Sequence, residues 1–297
     1  MILCLGEAIV DLICEREVPS PAAADSFAPR FGGALANVAV AVCRAGGEAA
    51  LAGGVGDDPW GRWLRDALAD EGIGLDSFSF VAGVQTPLAL ITFDRDREAA
   101  FQVYDEGIAA TQCSVEPGLA NAVAGSEALV FGSNTLVGEA ERELTLRARE
   151  LALERGLPVL FDPNLRPKRW HDLVRARELC LEVCERAFCV RANRAEGEWL
   201  TGESDPAAAA GALVERGTEI AVVTRGARGA VARGACEVDQ PGVEVEVVST
   251  LGAGDAFMGT LAAGFAAGAW KPGAGPGAVA AAVEAGARAC TVWRAVP

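Results

Sequence analysis

The sequence predicts an α/β fold: three αβα layers around a mostly parallel central sheet, with a small β lid. Three observations carry this. Short apolar strands alternate with amphipathic helices along most of the chain, which implies a mostly parallel sheet covered on both faces. Apolar residues make up 51% of the 297 positions and are spread over the whole length, enough for one large core. One hairpin-like segment, 86–104, interrupts the alternation.

In chain order, ILCLGEAIVDLIC (2–14) reads as a strand, a kink at Gly6 and more strand. ANVAVAVCRAG (36–46) has apolar residues at helical spacing. ALAGGVG (50–56) is a strand and turn, and DPWGRWLRDALADEG (58–72) a capped helix ending at a glycine. Helices are expected at 138–156, 171–185, 194–200 and 206–216. Strands are expected at 158–162, 187–192, 219–226 and 229–235. EVEVVST (244–250) reads as a strand, followed by helices near 254–269 and 276–290 with a Gly/Pro loop between them.

TPLALITFDRDREAAFQVY (86–104) reads as a β-hairpin around the charged turn 94–98. Leu88 and Leu90 stand on one side of its first strand, and Ala89, Ile91 and Phe93 on the other. A lone surface hairpin has one wet face. Two apolar faces predict a lid, with one face over a substrate site and the other against the lid of a second copy. Membership of the main sheet is the alternative. The lid strands are placed within 12–32 and 86–105 of a single domain, 1–297.

The net charge of −15 argues against nucleic acid as a partner, and no apolar run is long and clean enough to span a membrane. Nine scattered cysteines, without a CxxC pair, point to a reducing compartment, the cytoplasm. The chain starts with a strand-like run and no basic leader pattern. With His171 as the one histidine, a zinc site has few ligands to draw on.

The chemistry centres on STLGAGDAF (249–257). Gly252, Ala253 and Gly254 precede Asp255 where a helix begins, with Phe257, Leu261 and Phe265 spaced by four. A helix N-terminus offers unpaired N–H groups and partial positive charge, and glycines let an anion approach that backbone. This is neither GxxxxGK[ST] nor GxGxxG. Backbone N–H groups beside a carboxylate suit phosphoryl transfer, with Asp255 taking the proton of an attacking hydroxyl. A plain first-turn aspartate is the structural alternative.

Two longer regions, FGGALANVAVAVCRAGGEAALAGGVGDDPWG (31–61) and VSTLGAGDAFMGTL (248–261), frame the chain. Between them lie DPNLRPKRW (162–170), NRAEGEW (193–199) and VVTRGARGA (222–230). In this order the sequence resembles the ribokinase-like (PfkB) carbohydrate kinases over essentially its whole length, and the fructokinases among them most. The resemblance implies that Asp255 is the catalytic base and that Gly252, Ala253 and Gly254 form the anion hole. It implies that Asp11, Gly32, Gly33 and Asn37 bind the sugar, joined by Tyr104, Asp162, Asn164 and Arg166. Asn193, Thr224, Gly226, Gly229 and Gly254 would then face the nucleotide, and Glu196 would act on Mg²⁺ through water. ATP and Mg²⁺ are the cofactors it implies. An Asn193–Glu196 helix cap and a plain hairpin turn at 226–229 are the structural alternatives.

The chain departs from the family pattern at two points. Ser249 stands where an aspartate helps to hold a monovalent cation in several relatives, so little response to K⁺ is expected. Asp105 stands where many fructokinase and ketodeoxygluconate kinase relatives carry an arginine. An aspartate there would repel a sugar acid. The expected activity is ATP-dependent phosphorylation of a primary hydroxyl of a neutral sugar, with fructose first. A 2-keto-3-deoxygluconate or nucleoside kinase is the alternative within the family, and a non-catalytic sugar-binding regulator the alternative outside it. A homodimer through the lid is expected.

Overall fold

The computed structural model describes residues 1–94, 99–293 and 295–296. Gly6 divides the first apolar run between two sheets. Strand β1 (Ile2–Leu5) enters the central sheet, and β2 (Ile9–Glu17) enters a smaller one. β3 (Ala28–Gly32) returns antiparallel to β2 and leads into α1 (Ala34–Arg44). β4 (Ala49–Gly56), α2 (Pro59–Asp70) and β5 (Phe78–Val81) then extend the central sheet. The hairpin strands β6 (Leu88–Phe93) and β7 (Ala99–Tyr104) join β2 in the small sheet, in the order β3-β2-β6-β7. The hairpin therefore belongs to a lid sheet and not to the main one. The charged turn at 95–98 lies outside the described residues.

The chain continues through α3 (Ile108–Cys113), α4 (Leu119–Ala124), β8 (Ala128–Gly132), α5 (Glu139–Glu154) and β9 (Val159–Asp162). Next come α6 (Leu173–Cys184), β10 (Cys189–Asn193), α7 (Arg194–Thr201), α8 (Pro206–Glu215) and β11 (Ile220–Thr224). β12 (Ala230–Gly234), β13 (Val238–Gln240), α9 (Ala253–Ala267) and α10 (Gly275–Ala289) finish it. Among the described residues the large sheet runs β13-β12-β11-β10-β9-β8-β1-β4-β5. Its pairs are parallel from β11 to β5 and antiparallel at β12 and β13.

Side-chain alternation splits the core in two. Cys4, Val130 and Leu160 face the layer of α1, α2, α9 and α10. Leu3, Leu5, Phe131 and Phe161 face the layer of α4 to α8. Strands covered on both faces carry no polar alternation, so β8 hides in the sequence as four apolar residues and was not foreseen. β5 and β13, at the two edges of the sheet, were not foreseen either.

One expected strand is absent. Residues 241–248 form no strand, although valine and glutamate alternate there. Pro241 follows directly on β13 and offers no N–H to a neighbour, and Val243 and Val247 are exposed. The helix of the glycine motif thus follows an irregular segment.

The lid has one covered face. Ala89, Ile91 and Phe93 are buried with Ile13 against Leu251 and Trp293. Phe101 and Val103 of β7 share that face by register and are exposed to nearly half their surface, while on the opposite face Leu88 and Leu90 are half-buried and Tyr104 is exposed to a similar extent. Among the described residues no helix is long and apolar enough to cross a membrane. The nine cysteines are unpaired.

Candidate active site

The C-terminal ends of β9, β10 and β11 meet the N-terminus of α9, the place where open parallel sheets hold ligands. Gly252 caps α9 with φ 70°, a left-handed conformation that glycine takes without strain. A β-carbon there would also overlap the Ala295 backbone. At Gly254 the space of the missing β-carbon is filled by Arg191, whose Nη1 lies 2.7 Å from where that carbon would be. Both glycines thus answer to the protein's own packing. The first intrahelical bond runs from Ala256 N–H to Gly252 O at 2.8 Å; of the N–H groups before it, that of Ala253 donates to Thr250 O at 3.4 Å.

Asp255 lies in this first turn, 8% exposed. Asn37 Nδ2 donates to its Oδ2 at 2.9 Å, and Asn164 Nδ2 to its Oδ1 at 3.0 Å. Asn37 comes from α1 and Asn164 from the loop after β9, where its φ of 38° suits an asparagine. Burial pushes the Asp255 carboxyl up to about 7, against the opposing pull of Asn37 and Arg166. Asp11 is buried on β2 and pushed up to about 8, first by burial and then by the charge of Asp255. Gly32, which pairs with Ile9 across the β2–β3 ladder and is diagonal to Asp11, has no room for a β-carbon, because one would overlap the Asp11 carboxyl. Gly33 caps α1 with φ 95°, against the Glu7 carbonyl.

Asp162 ends β9. Its Oδ1 accepts from Asn164 N–H at 3.1 Å, and Arg191 Nη1 donates to its Oδ2 at 3.1 Å. Burial raises it to about 6, and Arg191 opposes the rise. Arg166 is exposed and close enough to lower both Asp11 and Asp255. Thr224 Oγ1 accepts from Arg191 Nη2 at 3.0 Å at the end of β11. Gly226 and Gly229 form the turn to β12 with φ 59° and 85°.

Asn193 and Glu196 make a reciprocal cap on α7. Asn193 Oδ1 accepts from Glu196 N–H, and Glu196 Oε2 from Asn193 N–H, both at 2.9 Å. Glu196 Oε1 accepts from Leu165 N–H at 2.9 Å, which ties this cap to the loop carrying Asn164. Both carboxylate oxygens are engaged and each keeps a second lone pair, which fits contact with an ion through water. Among the described residues no cluster of three or more His, Cys, Asp or Glu could hold a metal ion.

Tyr104 is not brought to this cluster. It pairs with Leu88, while Asp11 pairs with Ala89, so Tyr104 and Asp11 stand on opposite faces of the lid. Its hydroxyl accepts from Gln102 Nε2 at 2.6 Å. Asp105, just beyond it, is ion-paired: Arg169 Nε donates to its Oδ2 at 3.0 Å. Sequence reading missed Arg169, Glu7 and Asn134. Glu7 Oε1 accepts from Ala34 N–H and from Asn134 Nδ2, and Arg169 donates to Asn134 O. It also missed Arg191, which an arginine inside the apolar run AFCVRA could have flagged.

A buried carboxylate at a helix N-terminus, electrostatically coupled to a second buried carboxylate, suits a group-transfer enzyme acting on hydroxylated substrates. Comparison with known proteins narrows this. The model of the pfkB family carbohydrate kinases matches residues 1–292. Fructokinase-1 of Oryza sativa subsp. japonica is 35% identical over 272 residues, covering 88% of this chain and 81% of that protein. The structure of the Vibrio cholerae O395 fructokinase with fructose, ADP and calcium superposes with a TM-score of 0.85 at 28% identity, over 99% of this chain and 94% of that one. Aminoimidazole riboside kinase from Salmonella enterica, with aminoimidazole riboside and an ATP analogue, gives 0.84 at 29% identity over 99% and 94%. The chain belongs to the pfkB family of carbohydrate kinases and is an ATP-dependent sugar kinase.

Proposed function

We propose that this kinase moves the γ-phosphoryl group of ATP to a primary hydroxyl of a neutral sugar, with fructose the first candidate. The observation that carries it is Asp255: buried, raised to about 7, and held by two amides in the first turn of α9. A carboxylate of that basicity can accept a hydroxyl proton near neutral pH. Asp255 is the base in this reading. The backbone of Gly252, Ala253 and Gly254 offsets charge on the transferred group. Asp11, Gly32, Gly33, Asn37, Asp162, Asn164 and Arg166 hold the sugar, and Asn193, Thr224, Gly226 and Gly229 face the nucleotide. Mg²⁺, met by Glu196 through water, neutralises phosphate charge when bound.

The named activities of the rice and Vibrio cholerae relatives favour fructose. Arg169 pairs with Asp105, so neither residue offers a lone charge to a substrate, which suits a polyol. The Salmonella neighbour favours a riboside as the second reading. A panel of neutral sugars, sugar acids and nucleosides, assayed with ATP and Mg²⁺, tests this. Fructose among the best substrates is expected. Turnover confined to sugar acids would overturn the neutral-sugar reading, and sugar binding without turnover would leave a regulator.

A homodimer through the lid is part of the same reading. Phe101 and Val103, on the Asp11 face of the lid, and Tyr104, on the other face, leave apolar surface on the edge strand β7 that a second lid would cover. Sedimentation of the wild type and Val103→Asp tests it: a dimer that becomes a monomer is expected, and a wild-type monomer would refute it. Unpaired cysteines fit a reducing cytoplasm.

A further inference from the structure

Arg191 is third in the five-residue β10, a strand covered on both faces, and is 7% exposed. A buried guanidinium needs partners on every side. Asp162 and Thr224 take its two terminal nitrogens, and the Phe257 ring lies 5.8 Å from Cζ. The remaining side is the first turn of α9. A β-carbon built on Gly254 would come within 3.2 Å of Cζ and of Nη2, and 2.7 Å of Nη1. The Nε–H is buried and has no partner among the described residues.

A fixed cation therefore lies against a helix N-terminus, which is itself a positive pole. Two positive poles side by side repel unless anions lie between them. Asp162 answers part of that charge through a direct ion pair, and Glu196 and then Asp255 add to it at longer range. An anion at the N-terminus would answer the rest.

We propose that Arg191 is a positioning residue for phosphoryl transfer, holding the first turn of α9 against β10 and adding its charge to the N–H groups that meet the transferred group. The proposal rests on the reading of that turn as the phosphoryl site. A merely structural ion pair would lower stability alike with and without ligand. A positioning residue would act on the γ-phosphoryl group in particular.

Arg191→Lys keeps a cation but cannot reach Asp162 and Thr224 together. Wild type and variant are melted alone, with the best sugar of the substrate panel, with Mg²⁺ and ADP, and with Mg²⁺ and a non-hydrolysable ATP analogue. In the wild type the analogue should raise Tm more than ADP. In Arg191→Lys that extra rise is lost and the sugar-induced rise is kept. kcat falls by about tenfold or more while KM for the sugar stays within about threefold. Gly254→Ala, which displaces the guanidinium without removing it, gives the same pattern and serves if Arg191→Lys does not fold.

An extra rise equal in wild type and variant, or a kcat within about twofold of wild type, would overturn the proposal. Loss of every ligand-induced rise together would make Arg191 structural and overturn it as well. A wild type with no extra rise for the analogue would overturn both the proposal and the phosphoryl-site reading beneath it.

Discussion

The guanidinium of Arg191 occupies the space that a β-carbon on Gly254 would need. The two residues lie on different elements, β10 and α9, and meet only because the sheet ends where the helix begins. This contact separates the two glycines of the motif by role. Gly252 answers to a left-handed φ and the Ala295 backbone, whereas Gly254 answers to a side chain that can move.

Gly252→Ala and Gly254→Ala should therefore fail differently. Gly252→Ala meets fixed backbone and a strained φ, so its loss is in stability, about 1–3 kcal/mol or more. Gly254→Ala should melt closer to wild type and lose mainly kcat. Thermal melts with steady-state kinetics on both variants check the order. The reverse order would contradict it.

Asp255→Asn should keep the fold and lose turnover by about a thousandfold or more. The substituted amide is nearly isosteric, so packing is preserved, but it cannot take a proton. Circular dichroism and kcat measured on one preparation decide this. Near-normal turnover would remove Asp255 as the base.

The acid limb of kcat/KM should fall near pH 7, because Asp255 must be ionised and burial raises it to about 7. Stability should run the opposite way. A buried carboxyl with a raised pKa binds a proton in the folded state that the unfolded chain has already released. Its contribution is full below the ordinary value of 3.8 and is lost as pH rises through about 7 for Asp255 and about 8 for Asp11. Denaturant melts of wild type and Asp255→Asn between pH 4 and pH 8 should show a shallower decline in the variant. An equal decline would deny the raised value.

Ser249 is fully buried, and its Oγ accepts from Leu251 N–H at 3.0 Å, so its hydroxyl shapes the turn into the motif. A neutral group already used this way is a poor substitute for a carboxylate at a cation. K⁺ in place of Na⁺ or choline should change kcat by less than about twofold. Strong activation by K⁺ would reverse this view of Ser249.

Asp105→Asn removes the nearer of the two carboxylates beside Arg169 and leaves Glu141 at 4.0 Å. The less compensated cation should raise kcat/KM for a sugar acid relative to a neutral sugar by about tenfold. An unchanged ratio would show that the pair does not face the substrate.

The local features of the site were legible in the sequence. The helix start at Ala253, the lid hairpin and the Asn193–Glu196 cap each depend on residues close together in the chain, and each formed as the residues suggested. β8 was not legible, because a strand buried on both faces has no period to read. The valine–glutamate alternation at 243–247 suggested a strand where Pro241 and the sheet edge allow none.

Sequence alone determined that the chain builds a parallel sheet with a lid and places a carboxylate at the first turn of a helix opened by glycines. Those are properties of neighbouring residues and of hydrophobic period. Only the tertiary structure decided why the glycines are there, which face of the lid Tyr104 takes, and that Asp105 and Asp162 have arginine partners. Each of these depends on contacts between residues far apart in the chain, which come together only when the sheet, the lid and α9 pack around one cleft.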